Sequence, residues 1–204
     1  MDLFTIKTTR METLINSIAA QSYGIFDDFL TPSERLALAQ TLYQKYTSGT
    51  FKKAGIGQGA DYQIQNQIRG DQILWLEEEN ALPAEQLFFE KMYELIQYLN
   101  RTCYLGLKDG EFHYALYPTG TFYKRHLDRF RHDSRRRISA ICYLNQDWQP
   151  SEGGELVIYP ENQEAVKILP IGGRLVCFEA DKLEHEVLPA TRERLSLTGW
   201  LRVY

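Results

Sequence analysis

The chain has 204 residues, of which 44% are hydrophobic and 13% aromatic, and a formal net charge of −4 at pH 7. This length suits one domain with a substantial core, and the apolar content excludes global disorder. The acidic balance argues against a protein that binds nucleic acid through its whole surface, although local basic patches stay open.

The beginning of the chain and its cysteines indicate a cellular compartment. Segment 1–18 has no apolar run long enough for a signal peptide, and no stretch reaches the roughly 20 apolar residues of a membrane span. The three cysteines, Cys103, Cys142 and Cys177, are odd in number and lie far apart among apolar residues. Such spacing favours reduced thiols and no zinc motif, so we predict a cytoplasmic protein without a membrane partner.

The first half of the chain, 1–110, has mainly helical patterns. A short helix is predicted around 12–20, and the capping box at Thr31–Glu34 begins a second one with proline at its first position. Its apolar positions are Leu36, Ala39, Leu42, Tyr43 and Tyr46. A third helix should follow Pro83, with an apolar stripe at Leu87, Phe88, Met92, Leu95, Ile96 and Leu99.

A glycine-rich segment, 51–66, separates the second and third helices. Gly55, Gly57 and Gly59 alternate without helix or strand support. A phosphate cradle would need a preceding strand and a following Gly-Lys-Ser/Thr, and both are missing. We predict a mobile loop that ends before a short strand at Gln72–Leu76.

From about Phe112 the pattern changes to short alternating segments between turn signals. They are "FHYALY", "RISAICYL", "GGELVIYP", "GGRLVCFEA" and "RLSLTGWLRVY". Five or more strands at this spacing predict a sandwich or barrel. With no repeat or linker in sight, we predict one α+β domain over 1–204, in which helices pack on a β core at 111–204.

The segment "YKRHLDRFRHD" suggests a metal site. His126 and Asp128 are two residues apart, so in an extended segment both point to one face. His185 lies far enough downstream for several strands to return it to the same end of a sheet. Two imidazoles and one carboxylate on one face of an octahedron are the ligands of non-haem Fe(II) oxygenases, which keep open positions for a cosubstrate and dioxygen. The alternative is surface or core histidines without metal.

Arg194, nine residues after His185, strengthens this interpretation. Its planar guanidinium can bind a carboxylate through two hydrogen bonds. The alternative is that Arg194 only pairs with Glu184 or Glu193 on the surface.

Other polar residues of the region have plainer interpretations. His113 shares a strand face with Tyr117 and is predicted to be a packed strand histidine rather than a ligand. His132 and Asp133 are assigned to an exposed loop. The nearby arginines could bind an acidic partner or nucleic acid, or simply form a solvated edge. They are Arg129, Arg131, Arg135, Arg136 and Arg137.

The chain from Ile68 onward resembles a known family. The stretches "IRGDQILWL", "YKRHLD", "CYLNQDW", "GGELVIYP" and "HEVLPATRERLSLTGW" are similar to those of the 2-oxoglutarate/Fe(II) dioxygenases. Within that family they resemble the prolyl hydroxylases that modify hypoxia-inducible factor and their bacterial relatives. The resemblance implies a double-stranded β-helix of the jelly-roll or cupin type, with the N-terminal helices packed on one sheet.

The same resemblance implies roles for individual residues. Iron would bind His126, Asp128 and His185, and Arg194 with Tyr143 would hold the distal carboxylate of 2-oxoglutarate. The remaining cosubstrate pocket would be lined by Tyr117, Thr198 and Trp200. The mouth for the substrate would be lined by Arg136, Arg69 and Asp71, and the glycine-rich loop would cover it.

The implied reaction is hydroxylation of a prolyl residue in a protein, coupled to conversion of 2-oxoglutarate to succinate and CO2. It would use Fe(II), O2 and 2-oxoglutarate, with ascorbate as a candidate reductant, and a translation factor such as elongation factor Tu is a candidate substrate. Two alternatives stay open at this point: oxidative demethylation of nucleic acid, and a non-catalytic sensor of oxygen or 2-oxoglutarate. Hydroxylation of a free amino acid is a weaker option, because the loop is long enough to cover a peptide.

Overall fold

A computed structural model describes the backbone of residues 3–56, 63–128 and 135–204, with side chains from residue 9 onward in those ranges. Its helices are α1 (Leu3–Gln21), α2 (Pro32–Thr47) and α3 (Pro83–Cys103). Its strands are β1 (Tyr23–Phe26), β2 (Lys52–Lys53), β3 (Gln72–Trp75), β4 (Asp109–Tyr117), β5 (Tyr123–His126), β6 (Arg136–Tyr143), β7 (Leu156–Tyr159), β8 (Val166–Ile168), β9 (Leu175–Glu179), β10 (Glu184–Val187) and β11 (Arg194–Arg202).

Helix α2 begins as the sequence predicts. The Thr31 hydroxyl accepts a hydrogen bond from the Glu34 amide at 3.3 Å, and the Glu34 carboxylate accepts one from the Thr31 amide at 2.8 Å. This reciprocal pair satisfies two amides that a helix start leaves free. The predicted α1 is also present, but it is longer than 12–20.

The predicted apolar stripe of α2 is wrong at two positions. Leu36 and Tyr43 are exposed, whereas Leu38 and Leu42, one helical turn apart, are completely buried. The helix therefore turns the face of Leu38 toward the core, and Leu36 and Tyr43 lie on its flank. The Tyr43 hydroxyl donates to Glu193 at 3.0 Å from that flank.

Helix α3 begins at Pro83 and buries its predicted stripe, except that Leu87 is only partly covered. A buried carboxylate that the pattern did not reveal joins it to α2. Glu85 pairs with Lys45 at 2.7 Å and accepts a hydrogen bond from the Leu82 amide at 2.8 Å. Burial without loss of charge requires such partners.

The strands form two antiparallel sheets. The larger has the order β1-β9-β6-β11-β4-β3-β2, and the smaller has the order β5-β10-β7-β8. One face of the larger sheet carries the three helices, with Leu38, Met92 and Leu197 in their shared apolar core. Its other face meets the smaller sheet across a second core that contains Ile158 and Val176. The helices thus pack on one sheet, as predicted.

The five strand segments predicted from alternation correspond to β4, β6, β7, β9 and β11, and the predicted short strand is β3. Strands β1, β5, β8 and β10 were not predicted as separate elements. Part of the predicted loop is also ordered by pairing, since β2 pairs with β3 and Ile56 forms a bridge with Gln63. Gly57 and Gly59 lie outside the described residues, as do Arg129, Arg131, His132 and Asp133.

All three cysteines are free, and Cys142 and Cys177 are buried. In the described ranges, no helix combines the length and the apolarity that crossing a bilayer would require.

Candidate active site

Two neighbouring strands of the smaller sheet bring the predicted histidines together. His126 of β5 and His185 of β10 are direct partners across the two strands, and their ring centroids are 4.2 Å apart. Asp128 follows β5 by two residues. One donor atom from each of these three side chains lies within 4.8 Å of the other two. The chain thus gathers two imidazoles and one carboxylate as the spacing predicted.

Backbone carbonyls fix the orientation of both imidazoles. His126 Nδ1 is 2.7 Å from the Lys124 carbonyl oxygen, and His185 Nδ1 is 3.2 Å from that of Leu183. When each Nδ1–H donates to its carbonyl, the Nε2 lone pair is left free for a metal. Each Nε2 lies 3.5 Å from a different oxygen of Asp128.

The electrostatics of the cluster suit a cation. Burial alone would raise the pKa of the Asp128 carboxyl, but His185, His126 and the Ser139 hydroxyl lower it well below its usual range. Ser139 Oγ donates to Asp128 Oδ2 at 2.7 Å. Burial lowers the pKa of His185 to about 4. A charged carboxylate and a neutral imidazole are the protonation states that metal binding requires.

Arg194, on the larger sheet, lies completely inside the protein. Its Nε donates to the Gly154 carbonyl oxygen at 2.9 Å, while its buried Nη2 has no hydrogen-bond partner in the part of the chain that the structure describes. The carboxylates that could have paired with it on the surface are used elsewhere, since Glu184 pairs with Arg125 and Glu193 accepts from Tyr43. No carboxylate in the described part of the chain forms an ion pair with Arg194. A buried guanidinium of this kind is costly unless an anion pairs with it, so this position is suited to binding one.

Two phenol rings flank this guanidinium. The Arg194 Cζ atom is 4.9 Å from the ring centroid of Tyr143 and 5.2 Å from that of Tyr117. Among the described residues, the buried Tyr143 hydroxyl has no partner with hydrogen-bond geometry. Burial raises the pKa of Tyr143, so its hydroxyl is a neutral donor beside the cation. Together, Arg194 and Tyr143 offer free donors to a carboxylate.

Strand register places the predicted pocket residues along one wall. Arg194 pairs with Tyr117, Thr198 pairs with His113, and Trp200 pairs with Ser139. Because side chains alternate along a strand, those of β11 at 194, 196, 198 and 200 share one face. Arg194 and Trp200 are therefore six residues apart on the same face, about 20 Å along the strand.

One cavity of about 540 Å³ joins the metal donors to Arg194. Its lining includes nearly all of the residues predicted for the site: His126, Asp128, His185, Arg194, Tyr117, Thr198, Trp200, Arg136 and Arg69. Tyr143 lies beside Arg194, and Asp71 lies behind Arg69. Trp75 and Leu127, each 45% exposed, are the large apolar lining residues that are most open to solvent.

Comparison with known proteins identifies the family. Residues 112–202 match the profile of the 2OG-Fe(II) oxygenase superfamily. A crystal structure of a Pseudomonas putida prolyl-4-hydroxylase is 39% identical, with a TM-score of 0.86 over 95% of this chain and 99% of the other. The chain belongs to the 2OG-Fe(II) oxygenase superfamily. The predicted jelly-roll fold is confirmed.

Other relatives are consistent with this family assignment. A Trichoplax adhaerens prolyl hydroxylase, solved in complex with a peptide fragment of the hypoxia inducible factor oxygen degradation domain, is 28% identical with a TM-score of 0.82, over 99% of this chain and 94% of that one. Human Egl nine homolog 1 is 30% identical over 198 residues, which are 93% of this chain but 46% of the relative. The chain thus spans about half the length of this curated relative and of its mouse counterpart.

The 2OG-Fe(II) oxygenase family requires Fe(II), 2-oxoglutarate and O2, and the residues present fit these groups. Three nitrogen and oxygen donors converge on one side of the cavity, which matches the preference of Fe(II) for two imidazoles and a carboxylate. The unpaired donors of Arg194 and Tyr143 match the carboxylate of a dicarboxylic acid.

Arg136 is turned into the cavity. Its guanidinium carbon lies 3.5 Å from the ring centroid of Trp200, and its Nε donates to Glu111 at 2.8 Å. Arg136 Nη1 also reaches the Asp128 carbonyl oxygen at 3.4 Å. Arg136 thus lines the cavity, at the one position of the arginine run for which the family resemblance implied a role at the site.

Arg69 and Asp71 are paired with each other. Arg69 Nε and Nη2 donate to the two Asp71 oxygens at 2.8 and 2.6 Å, and Arg69 Nη1 donates to the Gly55 carbonyl oxygen at 3.2 Å. The guanidinium also stacks 4.2 Å above the ring of Tyr123, which in turn stacks on His126 with 3.6 Å between centroids. The pair therefore supports the ring behind a metal donor.

The residues of the site that were not predicted for it include Ser139, Tyr123, Trp75 and His113. The signal for Ser139 is present in the sequence, since it lies two and four residues before Ile141 and Tyr143 on one strand. His113 was assigned to the correct face, as a packed residue. Tyr123 and Trp75 have no local signal, because their positions depend on contacts between distant strands.

Proposed function

We propose that this chain hydroxylates a prolyl residue in a protein or peptide, using Fe(II), 2-oxoglutarate and O2. The observation that carries the proposal is the single cavity that holds three convergent metal donors and a buried guanidinium without an anion. The choice of proline is supported by 39% identity over almost the full length to a protein named as a prolyl-4-hydroxylase.

The metal would be held by His126 and His185 through Nε2 and by Asp128 through its carboxylate. When bound, the iron supplies the oxidising power with which dioxygen converts 2-oxoglutarate to succinate and CO2 and one oxygen atom enters a C–H bond of the substrate. Ser139 and the carbonyls of Lys124 and Leu183 keep the donors aimed and in the protonation state required.

The cosubstrate would be oriented by Arg194 and Tyr143. The guanidinium and the phenol each donate to its distal carboxylate, and Gly154 holds Arg194 in place through its carbonyl. Tyr117 packs beside the guanidinium, and Thr198 lines the wall between the cosubstrate and the opening. The burial of this end excludes water, which strengthens each charged hydrogen bond.

The protein substrate would enter on the side of Trp75. Arg136 and Trp200 form one wall of this opening, and the Arg69–Asp71 pair supports Tyr123 on another. We therefore propose contact with substrate for Arg136 and Trp200 and a positioning role for Arg69 and Asp71. Trp200, predicted for the cosubstrate pocket, lies far along β11 from Arg194.

Three finer proposals go beyond the reaction itself. They are a translation factor such as elongation factor Tu as the substrate, ascorbate as the reductant, and the cytoplasm as the location. The first can be tested directly by asking whether purified elongation factor Tu gains one oxygen atom on a proline.

The general test is to incubate the Fe(II)-loaded protein with 2-oxoglutarate and cell lysate, then locate oxygen additions by mass spectrometry. We expect new hydroxyproline together with succinate, and loss of both in His126→Ala and Asp128→Ala. Arg125→Met, on the outer side of the smaller sheet, is the control and should keep both products. Oxygen additions that persist in Asp128→Ala would refute the site, and additions confined to nucleic acid would refute the substrate class.

A further inference from the structure

A buried polar group in the cavity wall has no role in the functions described so far. His113 is 3% exposed and lines the cavity, and its buried Nδ1 atom has no hydrogen-bond partner within the described ranges of the chain. A buried nitrogen of this kind costs about as much as a lost hydrogen bond, so such atoms are rarely left alone. The position is a candidate for a ligand that the chain itself does not supply.

The surroundings of His113 define the kind of ligand. Its ring lies between two indoles, 4.8 Å from that of Trp75 and 5.6 Å from that of Trp200 between centroids. Trp200 Nε1 is also buried and unpaired. Burial lowers the pKa of His113 to about 3, so the ring is neutral at physiological pH. Two neutral polar nitrogens between aromatic rings suit an uncharged amide rather than an anion.

The position of His113 separates it from both ends of the cosubstrate site. It lies four residues from Tyr117 on β4, about 14 Å along the strand from the level of Arg194. Strand β11 separates it from β6, which carries Ser139, so its backbone is about 10 Å across the sheet from that contact of Asp128. On its other side is Trp75, at the opening.

We propose that His113 is a specificity-determining residue that hydrogen-bonds the main-chain amide on the C-terminal side of the target proline. That peptide unit offers a carbonyl acceptor, which matches Trp200 Nε1–H, and an N–H donor, which matches His113 Nδ1 in the tautomer that carries its proton on Nε2. The inference rests on the proposed prolyl hydroxylation and adds to it a residue that recognises the main chain of the substrate peptide. It requires a peptide rather than a free amino acid as the substrate.

The test compares His113→Phe with His113→Asn. Phenylalanine keeps the stacked ring and removes both nitrogens, whereas asparagine places an amide near the position of Nδ1 but loses the ring. The probe is a pool of short peptides with a central proline and varied flanks, read by mass spectrometry for oxygen addition. For the best peptide, KM and kcat are then measured, together with the KM for 2-oxoglutarate.

We expect His113→Phe to raise the peptide KM about tenfold or more, with the KM for 2-oxoglutarate unchanged. His113→Asn should recover part of the peptide affinity while being thermally less stable than His113→Phe, because it loses the aromatic packing. If the role of His113 were purely structural, the less stable of the two variants would also be the one with the lower peptide affinity. Tyr114→Phe is the matched control, since it removes one polar atom from the adjacent residue on the opposite face and should leave both KM values unchanged.

Two results would overturn the proposal and leave the proposed function standing: an unchanged peptide KM in His113→Phe, or a rise in the KM for 2-oxoglutarate instead. A wild-type protein that hydroxylates none of the peptides but converts free proline would overturn both. The two His113→Phe results can therefore be distinguished from a failure of the proposed prolyl hydroxylation.

Discussion

The two ends of the cavity wall on β4 and β11 differ in whether their charged groups or their neutral polar groups are paired. At the Arg194 end, a permanent charge has no carboxylate paired with it among the described residues. At the Trp200 end, the charge is paired, since Arg136 is bonded to Glu111, and the unpaired groups are the neutral nitrogens of His113 and Trp200. One end is therefore built for an anion and the other for an uncharged polar group, on the same pair of strands.

The largest effect should come from breaking the anionic end. Arg194→Met keeps the aliphatic stem but removes the charge, and we expect affinity for 2-oxoglutarate to fall about 100-fold or more, because a buried charged hydrogen bond is lost. Calorimetric titration of the metal-loaded protein in the absence of oxygen measures this. Arg125→Met, which removes a guanidinium from an exposed pair, is the control. Equal affinities in wild type and Arg194→Met would show that the anion binds elsewhere.

A pH titration tests the neutral end. His113 has its pKa lowered by burial from 6.5 to about 3, so between these values the unfolded chain binds a proton that the folded chain does not. Stability should fall as pH decreases through this range, at about 1.4 kcal/mol per pH unit. His113→Phe lacks this group and should gain about 2 kcal/mol relative to wild type between pH 6.5 and 5, as measured by chemical denaturation. Parallel losses in both proteins would mean that His113 is protonated in the fold.

A smaller effect is expected at the hydrogen bond behind the carboxylate donor. Ser139→Ala removes the donor to Asp128, and loss of such a supporting contact typically weakens metal affinity about tenfold. Competition with a chelator of known affinity measures the change. Ser196→Ala, a buried serine on the neighbouring strand, should bind metal like wild type. If the two variants were indistinguishable, Ser139 would not support the site.

The smallest expected effect is the one that best tests whether the Arg194 and Trp200 ends of the cavity wall act independently. Arg136→Met should raise the peptide KM about fivefold and leave the KM for 2-oxoglutarate unchanged, because Arg136 lies over Trp200 and far from Arg194. Arg202→Met removes the other arginine paired with Glu111, at 2.8 Å, and should change neither value. A shift in the KM for 2-oxoglutarate would show that the ends are not independent.

The sequence predicted the site better than it predicted the surfaces around it. His126, Asp128, His185 and Arg194 combine specific residue types with fixed spacing, and the structure gathers them in one cavity. Their roles remain proposals until the variants are measured. The start of α2 was equally predictable, because a capping box acts within four residues.

What the sequence did not predict depends on distant partners. Strands β5 and β10 are short and polar, so no alternation marks them, and their position follows from the pairing of His126 with His185. Leu36 is apolar yet exposed, because the rotation of α2 is set by the burial of Leu38 and Leu42 in the core. Glu85 is buried because Lys45 on another helix neutralises it. Each of these outcomes is decided between elements rather than within one.

The division of the site between two sheets has a mechanical consequence. The imidazole donors belong to the smaller sheet, whereas Arg194, Tyr143 and Tyr117 belong to the larger one. A dicarboxylate held by both the iron and the guanidinium would link the two sheets. The free energy needed to separate the sheets would then rise with the logarithm of ligand concentration. The cosubstrate would then stabilise the packing of the two sheets as well as take part in the reaction.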